Sequence, residues 1–497
     1  MANLLQKQGF LNSLILYAGT ALGFVNLIIL FQRVLTLEEI GFFTLMTTIS
    51  LLYAQIASLG ISNIILKYFP YYRTEDRRHN GFTTFILIWC LIGFALFTVL
   101  FIVFKNHIID FYKNKNGAPL LIKYFYYLIP LSFLTMVFAV LESLALTVFK
   151  NVLSSFLREV GLRLFTTASI ILIAATLIDY HAFLMIYLAA NLLVIVIMII
   201  YISKGNHFKF AGIGSQLLSA KTTFLNYGLF TVLSGSSFVM IQNLDTLMLS
   251  VLTKQSLSFV GLYGTFFAIA VVISLPAKAL SRTSLQIIAQ SWVTNDLAKI
   301  GKIYYKTSVV QMLIGCLLFI GLVINKPFIL MLLHKPEYAG YFNVFIVVGV
   351  AFLVDMTGGL NGYIMNVSRY YRLTTVFIVS AVVLCMVSNL ILIPRIGMMG
   401  AAVSYFITML TLNFAYWLFI KLKFGLQPFG KAHLYIIIIF AICLLIGLYL
   451  PALKNLYADM IYRSLIVGIL YILSAYYLKI SEDINQVFDK LIKSNKT

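Results

Sequence analysis

HAFLMIYLAANLLVIVIMIIYI, residues 181–202, contains no Asp, Glu, Lys or Arg. As a helix rising ~1.5 Å per residue, it covers roughly the 30 Å of hydrocarbon in a bilayer. A soluble core could hold one such run only inside a polar shell, and the rest of the chain offers none. Of 497 residues, 61% are hydrophobic and 10% charged, with mean hydropathy +0.98. A soluble domain carries about 25% charged residues and must clothe its surface with them. Lipid is the solvent that this composition fits.

Comparable runs flank that segment on both sides. They occupy approximately 10–32, 40–66, 81–104, 122–146 and 156–178 before it. After it come 225–250, 258–280, 308–330, 341–364, 373–393, 398–420, 432–450 and 462–479. The expected fold is therefore an all-α polytopic membrane protein with about 14 transmembrane helices. The fifth run is the least regular, because Arg158, Glu159 and Arg163 open it. The first run is too long for the apolar part of a signal peptide and is expected to stay as a span.

The formal net charge is +20. With spans this dense, the excess reads as Lys and Arg gathered in cytoplasmic loops and not as a nucleic-acid surface. Placing both termini in the cytoplasm puts the majority of the 36 basic residues inside, among them Lys67, Arg73, Arg77, Arg78, Lys299, Lys302 and Lys306. Loops are short, the longest running roughly 281–307, so no extramembrane domain is available for catalysis. No phosphate loop, zinc-ligand spacing or nucleophile elbow occurs, and no catalytic residue, metal or cofactor is expected. Cys90, Cys316, Cys385 and Cys443 are scattered through apolar runs and read as small core hydrophobes.

An internal repeat organises the spans. Phe10-Leu11-Asn12 opens the first and Phe224-Leu225-Asn226 the seventh. Glu39-Ile40-Gly41-Phe42-Phe43 stands 220 residues before Phe259-Val260-Gly261-Leu262-Tyr263, and Thr74-Glu75-Asp76 stands at the same offset from Thr294-Asn295-Asp296. Six spans per repeat is even, so both halves enter the membrane alike and are related by a pseudo-twofold along the membrane normal. The expected organisation is a six-helix bundle at 1–204, a second at 205–424, and an extra helix pair with a tail at 425–497. Two such bundles facing a cleft suit alternating access.

At Arg33-Val34-Leu35-Thr36-Leu37-Glu38-Glu39-Ile40-Gly41-Phe42-Phe43 the sequence resembles Wzx-type flippases of the multidrug/oligosaccharidyl-lipid/polysaccharide exporter superfamily. Ser58-Leu59-Gly60-Ile61, Lys67-Tyr68-Phe69-Pro70, Asn243-Leu244-Asp245 and Ile393-Pro394-Arg395-Ile396-Gly397 fit the same pattern in order, over roughly residues 8–420. The resemblance implies a fold similar to MATE and MurJ proteins and a bacterial cytoplasmic (inner) membrane location. It implies a secondary transporter, not an enzyme, that flips a polyprenyl-diphosphate-linked oligosaccharide of O-antigen, capsule or exopolysaccharide to the outer leaflet. Partners would be that lipid-linked glycan, membrane lipids, a glycan polymerase and glycosyltransferases, with no nucleic acid. A lipid II flippase or a cation-coupled multidrug antiporter is the alternative within transport, and a membrane glycan polymerase or acyltransferase the alternative outside it.

Carrying a diphosphate past hydrocarbon calls for cations in a wet cleft, and arginine's fork of donors suits that work. Arg33, Arg163 and Arg282 are the candidates for substrate binding, with Asp245 added from the resemblance. Arg163 equally reads as neutralised by Glu159 one turn away. Acidic groups within spans are costly and need a partner, water or a proton. Asp355, just before Gly358-Gly359, and Glu142 are the candidates for coupling to H+ or Na+. Glu142 reads rather as half of an ion pair with a nearby base, and the glycine run after Asp355 as a place where the helix kinks or unwinds.

Overall fold

The computed structural model describes residues 2–148, 150–204, 209–481 and 485–486. Among these the chain is helical nearly throughout, without a strand. That follows from the solvent: in hydrocarbon a backbone N–H or C=O finds no water, and a helix pairs them within one segment.

In chain order the membrane helices are α1 (Leu11–Val34), α2 (Leu37–Ala57), α3 (His79–Val103), α4 (Phe125–Thr147), α5 (152–174), α6 (Tyr180–Lys204) and α7 (221–252). They continue as α8 (Ser256–Val293), α9 (Leu297–Ile324), α10 (Phe342–Thr357 with Asn361–Val367), α11 (Tyr371–Ile396), α12 (Met398–Phe424), α13 (Lys431–Tyr449) and α14 (Leu456–Tyr477). Among the described residues eleven are long and apolar enough to cross a membrane, and α10, bent by 48°, makes twelve if counted as one broken span. The remaining two expected spans, α5 and α7, are also helical. Each carries a π turn, at Leu157–Gly161 and Val232–Ser236, and α5 holds three charged residues. Large apolar side chains stand outward, such as Ile92 at 62% and Val99 at 60% exposure. The chain is a multi-pass membrane protein.

Local chemistry sets several ends. Thr36 caps α2: its Oγ1 accepts from Glu39 N at 3.2 Å, and Glu39 Oε2 accepts from Thr36 N at 2.8 Å. This reciprocal capping box gives the Thr36–Glu39 stretch a structural reason to exist. The expected span 40–66 is not one helix. Leu59 (φ 48°) and Gly60 (φ 75°) are left-handed, so α2 stops at Ala57 and a half-helix, Ile61–Tyr72, follows.

By packing, the chain forms two compact units, Met1–Gly264 and Thr265–Thr497, and the division falls inside α8. The boundary expected at 204/205 rests on the sequence repeat, a different criterion from packing.

In the first unit, α2 crosses the start of α8 with backbones nearly touching. A Cβ on Gly41 would overlap the Leu257 carbonyl oxygen, and one on Gly261 would come 2.6 Å from the Leu37 oxygen. Leu37/Leu257, Gly41/Gly261 and Thr44/Gly264 are pairs separated by the repeat offset of 220. Each glycine meets the counterpart of its own neighbour, which is how a self-complementary twofold contact is built. Nearby, Tyr112 Oη lies 2.7 Å from Ser250 Oγ, Asn116 N donates to Lys254 O (2.9 Å) and Lys115 Nζ to Ser250 O (3.3 Å). Burial pulls the Lys115 ammonium below its ordinary pKa. Beyond the far end of α2, Gly60 and Gly228 approach equally closely, with Tyr68 against Tyr227 (5.4 Å) and Lys67 Nζ 3.8 Å from the Tyr227 ring centre.

In the second unit α13 and α14 pack on α9, through Cys316, Ile320, Ile436, Cys443 and Val467 among others. Arg463 Nε donates to Asp459 (2.8 Å), and its two terminal nitrogens donate to Gly447 O and Leu450 O, the loose carbonyls ending α13. Tyr471 Oη donates to Leu313 O at 3.0 Å. All four cysteines are buried and unbridged.

Both contacts are open to direct test. Thr44 Cβ lies 3.8 Å from where Gly264 would place one, the mean separation for a disulfide. A Thr44→Cys/Gly264→Cys chain should therefore oxidise to an internal crosslink, visible as two thiols lost to maleimide counting; full retention of both would refute the crossing. Arg463→Ala strands Asp459 and two carbonyls, and should cost about 3–5 kcal/mol, read as a lowered melting temperature in detergent.

Candidate functional site

Two polar nodes interrupt the apolar helices, one in each unit. The first lies where α1 and α5 cross. Both helices are widened there by π turns, at Val25–Leu30 in α1 and Leu157–Gly161 in α5. A π turn misaligns backbone partners and is frequent at functional sites. Side chains answer the misalignment. Gln32, buried, donates to Leu27 O at 3.0 Å. Asn26 Nδ2 donates to Arg163 O (2.9 Å), and Thr167 Oγ1 donates to Asn26 Oδ1 (2.7 Å).

Arg163 sits in the middle of this node. Its Nη1 donates to Gly19 O and its Nη2 reaches Glu159 Oε2 at 3.1 Å. The guanidinium fits only because α1 presents glycine: a Cβ on Gly23 would stand 2.8 Å from Nη1, and one on Gly19 would stand 2.6 Å from Glu159 O. Side-chain exposure of 33% for Arg163 and 25% for Glu159 leaves the pair accessible at one edge. The arrangement offers a planar donor already desolvated on one side and held by a carboxylate that an anion could displace.

The second node surrounds the break in α10. Gly359 is left-handed (φ 62°), and the helix resumes at Asn361 after its bend, in keeping with the kink expected of the glycine run. Ser308 Oγ donates to Thr357 O (2.6 Å), the carbonyl left at the break. Gly430 N donates to His433 Nδ1 (3.3 Å), so Nε2 carries the hydrogen and donates to Ser308 Oγ at 2.9 Å. Asn413 Nδ2 donates to Asp355 Oδ1 (3.1 Å), while its own oxygen accepts from Asn361 Nδ2 (2.7 Å). Asp355 is exposed. Behind Thr357 and Asn413 lies an apolar cavity of about 400 Å3, walled by Met312, Cys316, Leu353, Trp417, Phe429 and Phe440.

The other candidates stand apart from these nodes. Asp245 is fully buried and accepts from Tyr263 Oη at 2.7 Å, between α7 and α8. Arg33 is exposed in the last turn of α1. Glu142 lies 3.0 Å from Arg158, so its charge is answered by the ion-pair reading. The Arg282 side chain lies outside the described residues. Sequence reasoning misses Asn26, Thr167, Gly19, Gly23, Ser308, Asn413 and His433. A mid-span Asn is a usable signal; a serine or glycine in an apolar run is not.

Gly23→Val would push a methyl group into the Arg163 guanidinium. The expected cost is about 1–3 kcal/mol, measured as lower thermal stability in detergent. An unchanged melting temperature would mean Arg163 is seated elsewhere.

Comparison with known proteins adds a family and a fold. A family model described as polysaccharide biosynthesis protein matches residues 5–282. No curated protein sequence matches the chain. Among solved structures, the lipid II flippase MurJ in an inward closed conformation superposes with TM-score 0.73 and 14% identity, covering 94% of this chain and 98% of that one. An inward-facing multidrug resistance MATE family transporter of the MOP superfamily gives 0.61 and 13%, over 83% and 94%. A point mutant of the Vibrio cholerae MATE transporter VcmN gives 0.56 and 13%, over 84% and 95%. At such identities the likeness is one of fold.

Proposed function

The chain belongs to the polysaccharide biosynthesis protein family, and from that premise we propose that it is a flippase for a polyprenyl-diphosphate-linked oligosaccharide. It carries the headgroup from the cytoplasmic to the outer leaflet of a bacterial inner membrane, with both termini cytoplasmic, by alternating access. It acts as a carrier and not as an enzyme.

The observation that supports this reading most is the Arg163 node. A guanidinium half-withdrawn from water, yet open at one edge, is a poor structural element, because its Glu159 partner and the Gly19 carbonyl return little for its desolvation. It is a good receptor for a diphosphate. Two non-bridging oxygens fit the fork, and Glu159 restores neutrality when the anion leaves. The glycan needs only a wet path, and the polyprenyl tail can remain in the surrounding lipid. The MurJ relative in fold is described as a lipid II flippase, which handles a related class of cargo.

Asp355 favours coupling to a cation. It is an exposed carboxylate beside a broken helix, with the amide side chains of Asn413 and Asn361 linked to it in series. We assign it the proton or sodium role. Glu142, already paired with Arg158, is given none.

Arg163→Ala should abolish complementation of a deletion strain's surface glycan, with membrane protein level unchanged by immunoblot, and Arg163→Lys should restore it only partly. Full complementation by the alanine variant would remove Arg163 from the mechanism. Normal surface glycan in a deletion strain lacking redundant flippases would overturn the flippase reading itself.

A further inference from the structure

Between the half-helix Ile61–Tyr72 and α3 the chain reads Arg73-Thr74-Glu75-Asp76-Arg77-Arg78-His79-Asn80. As a loop rich in arginine it could serve simply to anchor the protein to anionic headgroups. Its conformation asks for more than that. Arg77 (φ 64°), His79 (48°) and Asn80 (53°) are all left-handed, followed by Gly81 at 80°. Asparagine and histidine are found in that region more readily than most residues; arginine enters it at a cost, and such a residue persists where the surroundings over-determine it.

Here they are over-determined. Asp76 accepts from the Thr74 hydroxyl and from Arg78 N (2.9 Å), and the Thr74 hydroxyl oxygen accepts from His79 N (2.9 Å). Thr74 N donates in turn to His79 Nδ1 at 3.1 Å. These bonds hold the Asp76 carboxyl below its ordinary pKa, the Thr74 bond most, so it stays ionised and engaged within the loop. The loop is also tied to the segment leading into α7, by Lys209 N to Arg77 O (2.9 Å) and Gly214 N to Asn80 O (3.0 Å).

This hydrogen-bonded loop borders a half-open cavity of about 480 Å3, lined by Arg73, Thr74, Glu75, Arg77 and His79 together with the apolar Phe69 and Val148. That volume falls within the roughly 300–1,000 Å3 of ligand pockets. Among the described residues neither Arg73 nor Arg77 has a carboxylate within ion-pair distance, and Asp76 is already engaged. Arg73 and Arg77 both line this space, with a single carboxylate, Glu75, in its wall. An anion between them would offset their repulsion.

We propose that this cavity is a phosphate-binding site for a lipid headgroup, gripped by Arg73 and Arg77, where the diphosphate of the cargo docks before it enters the carrier. The docking role rests on the flippase reading and on a cytoplasmic position for the loop. The phosphate chemistry rests on the cavity alone. A bulk anionic phospholipid carries the same chemistry, so the two sources have to be separated.

The full chain is reconstituted in phosphatidylcholine nanodiscs and titrated with undecaprenyl diphosphate, and separately with phosphatidylglycerol. Three variants are compared with it: Arg73→Gln, Arg77→Asn and Arg78→Gln. Asparagine at 77 keeps the left-handed backbone and removes only the guanidinium, so folding and binding are read independently; Arg78 is outside the cavity wall and serves as control. Arg73→Gln and Arg77→Asn should each weaken diphosphate binding by about tenfold or more, with Arg78→Gln nearly neutral. Equal losses in all three would mean a diffuse interfacial anchor and would overturn the site, as would no loss at all. Phosphatidylglycerol binding as tightly at the same two arginines would overturn the docking role. Arg77-dependent diphosphate binding in a chain whose deletion leaves surface glycan normal would fault the flippase reading alone. Lost glycan with binding indifferent to Arg73 and Arg77 would fault this site alone.

Discussion

Hydrocarbon offers the backbone no hydrogen bonds, and most of the polar chemistry in this protein follows from that. At four interruptions a side chain reaches a stranded carbonyl. Gln32 serves Leu27 in the π turn of α1, and Asn26 serves Arg163 after the π turn of α5. Ser308 serves Thr357 at the break in α10, and Arg463 serves Gly447 and Leu450 at the end of α13. Buried polar residues in such a protein are thus first of all repairs to the backbone. A functional role needs something further, and the two nodes differ from Arg463 in having an exposed edge. Arg163 and Asp355 keep that edge; Arg463, with 8% of its side chain exposed, does not.

The same constraint governs how much of the fold is legible in the sequence. Runs such as 181–202 and 432–450 are legible because hydropathy over a full span is a sum, insensitive to which face points where. The break at Ser58-Leu59-Gly60 is not: Ser-Leu-Gly is common inside apolar helices, and the approach of Gly228, which leaves no room for a Cβ at Gly60, comes from a distant helix. Within the site, Glu159 and Arg163 can be paired from spacing alone, being one turn apart. Glu142 with Arg158, or Asp355 with Asn413, cannot, since each pair is joined only by tertiary packing.

The fragments that mark the family have separable causes. Thr36 and Glu39 close a helix end, and Gly41 permits a backbone crossing. Arg33 does neither and stands exposed in the last turn of α1. A motif that looks like one functional signature is thus several physical requirements lying side by side.

The crossing of α2 with α8 has a further implication. In a dimer of identical halves, a residue beside the twofold must accept its own likeness: threonine would face threonine, or glycine glycine. Here Thr44 faces Gly264, with the threonine methyl 2.9 Å from where a second Cβ would stand. With both positions in one chain, neither has to mirror the other. A bulky residue could then settle into a hollow that its twin had vacated, bringing the helices closer than any symmetric pair of side chains would allow.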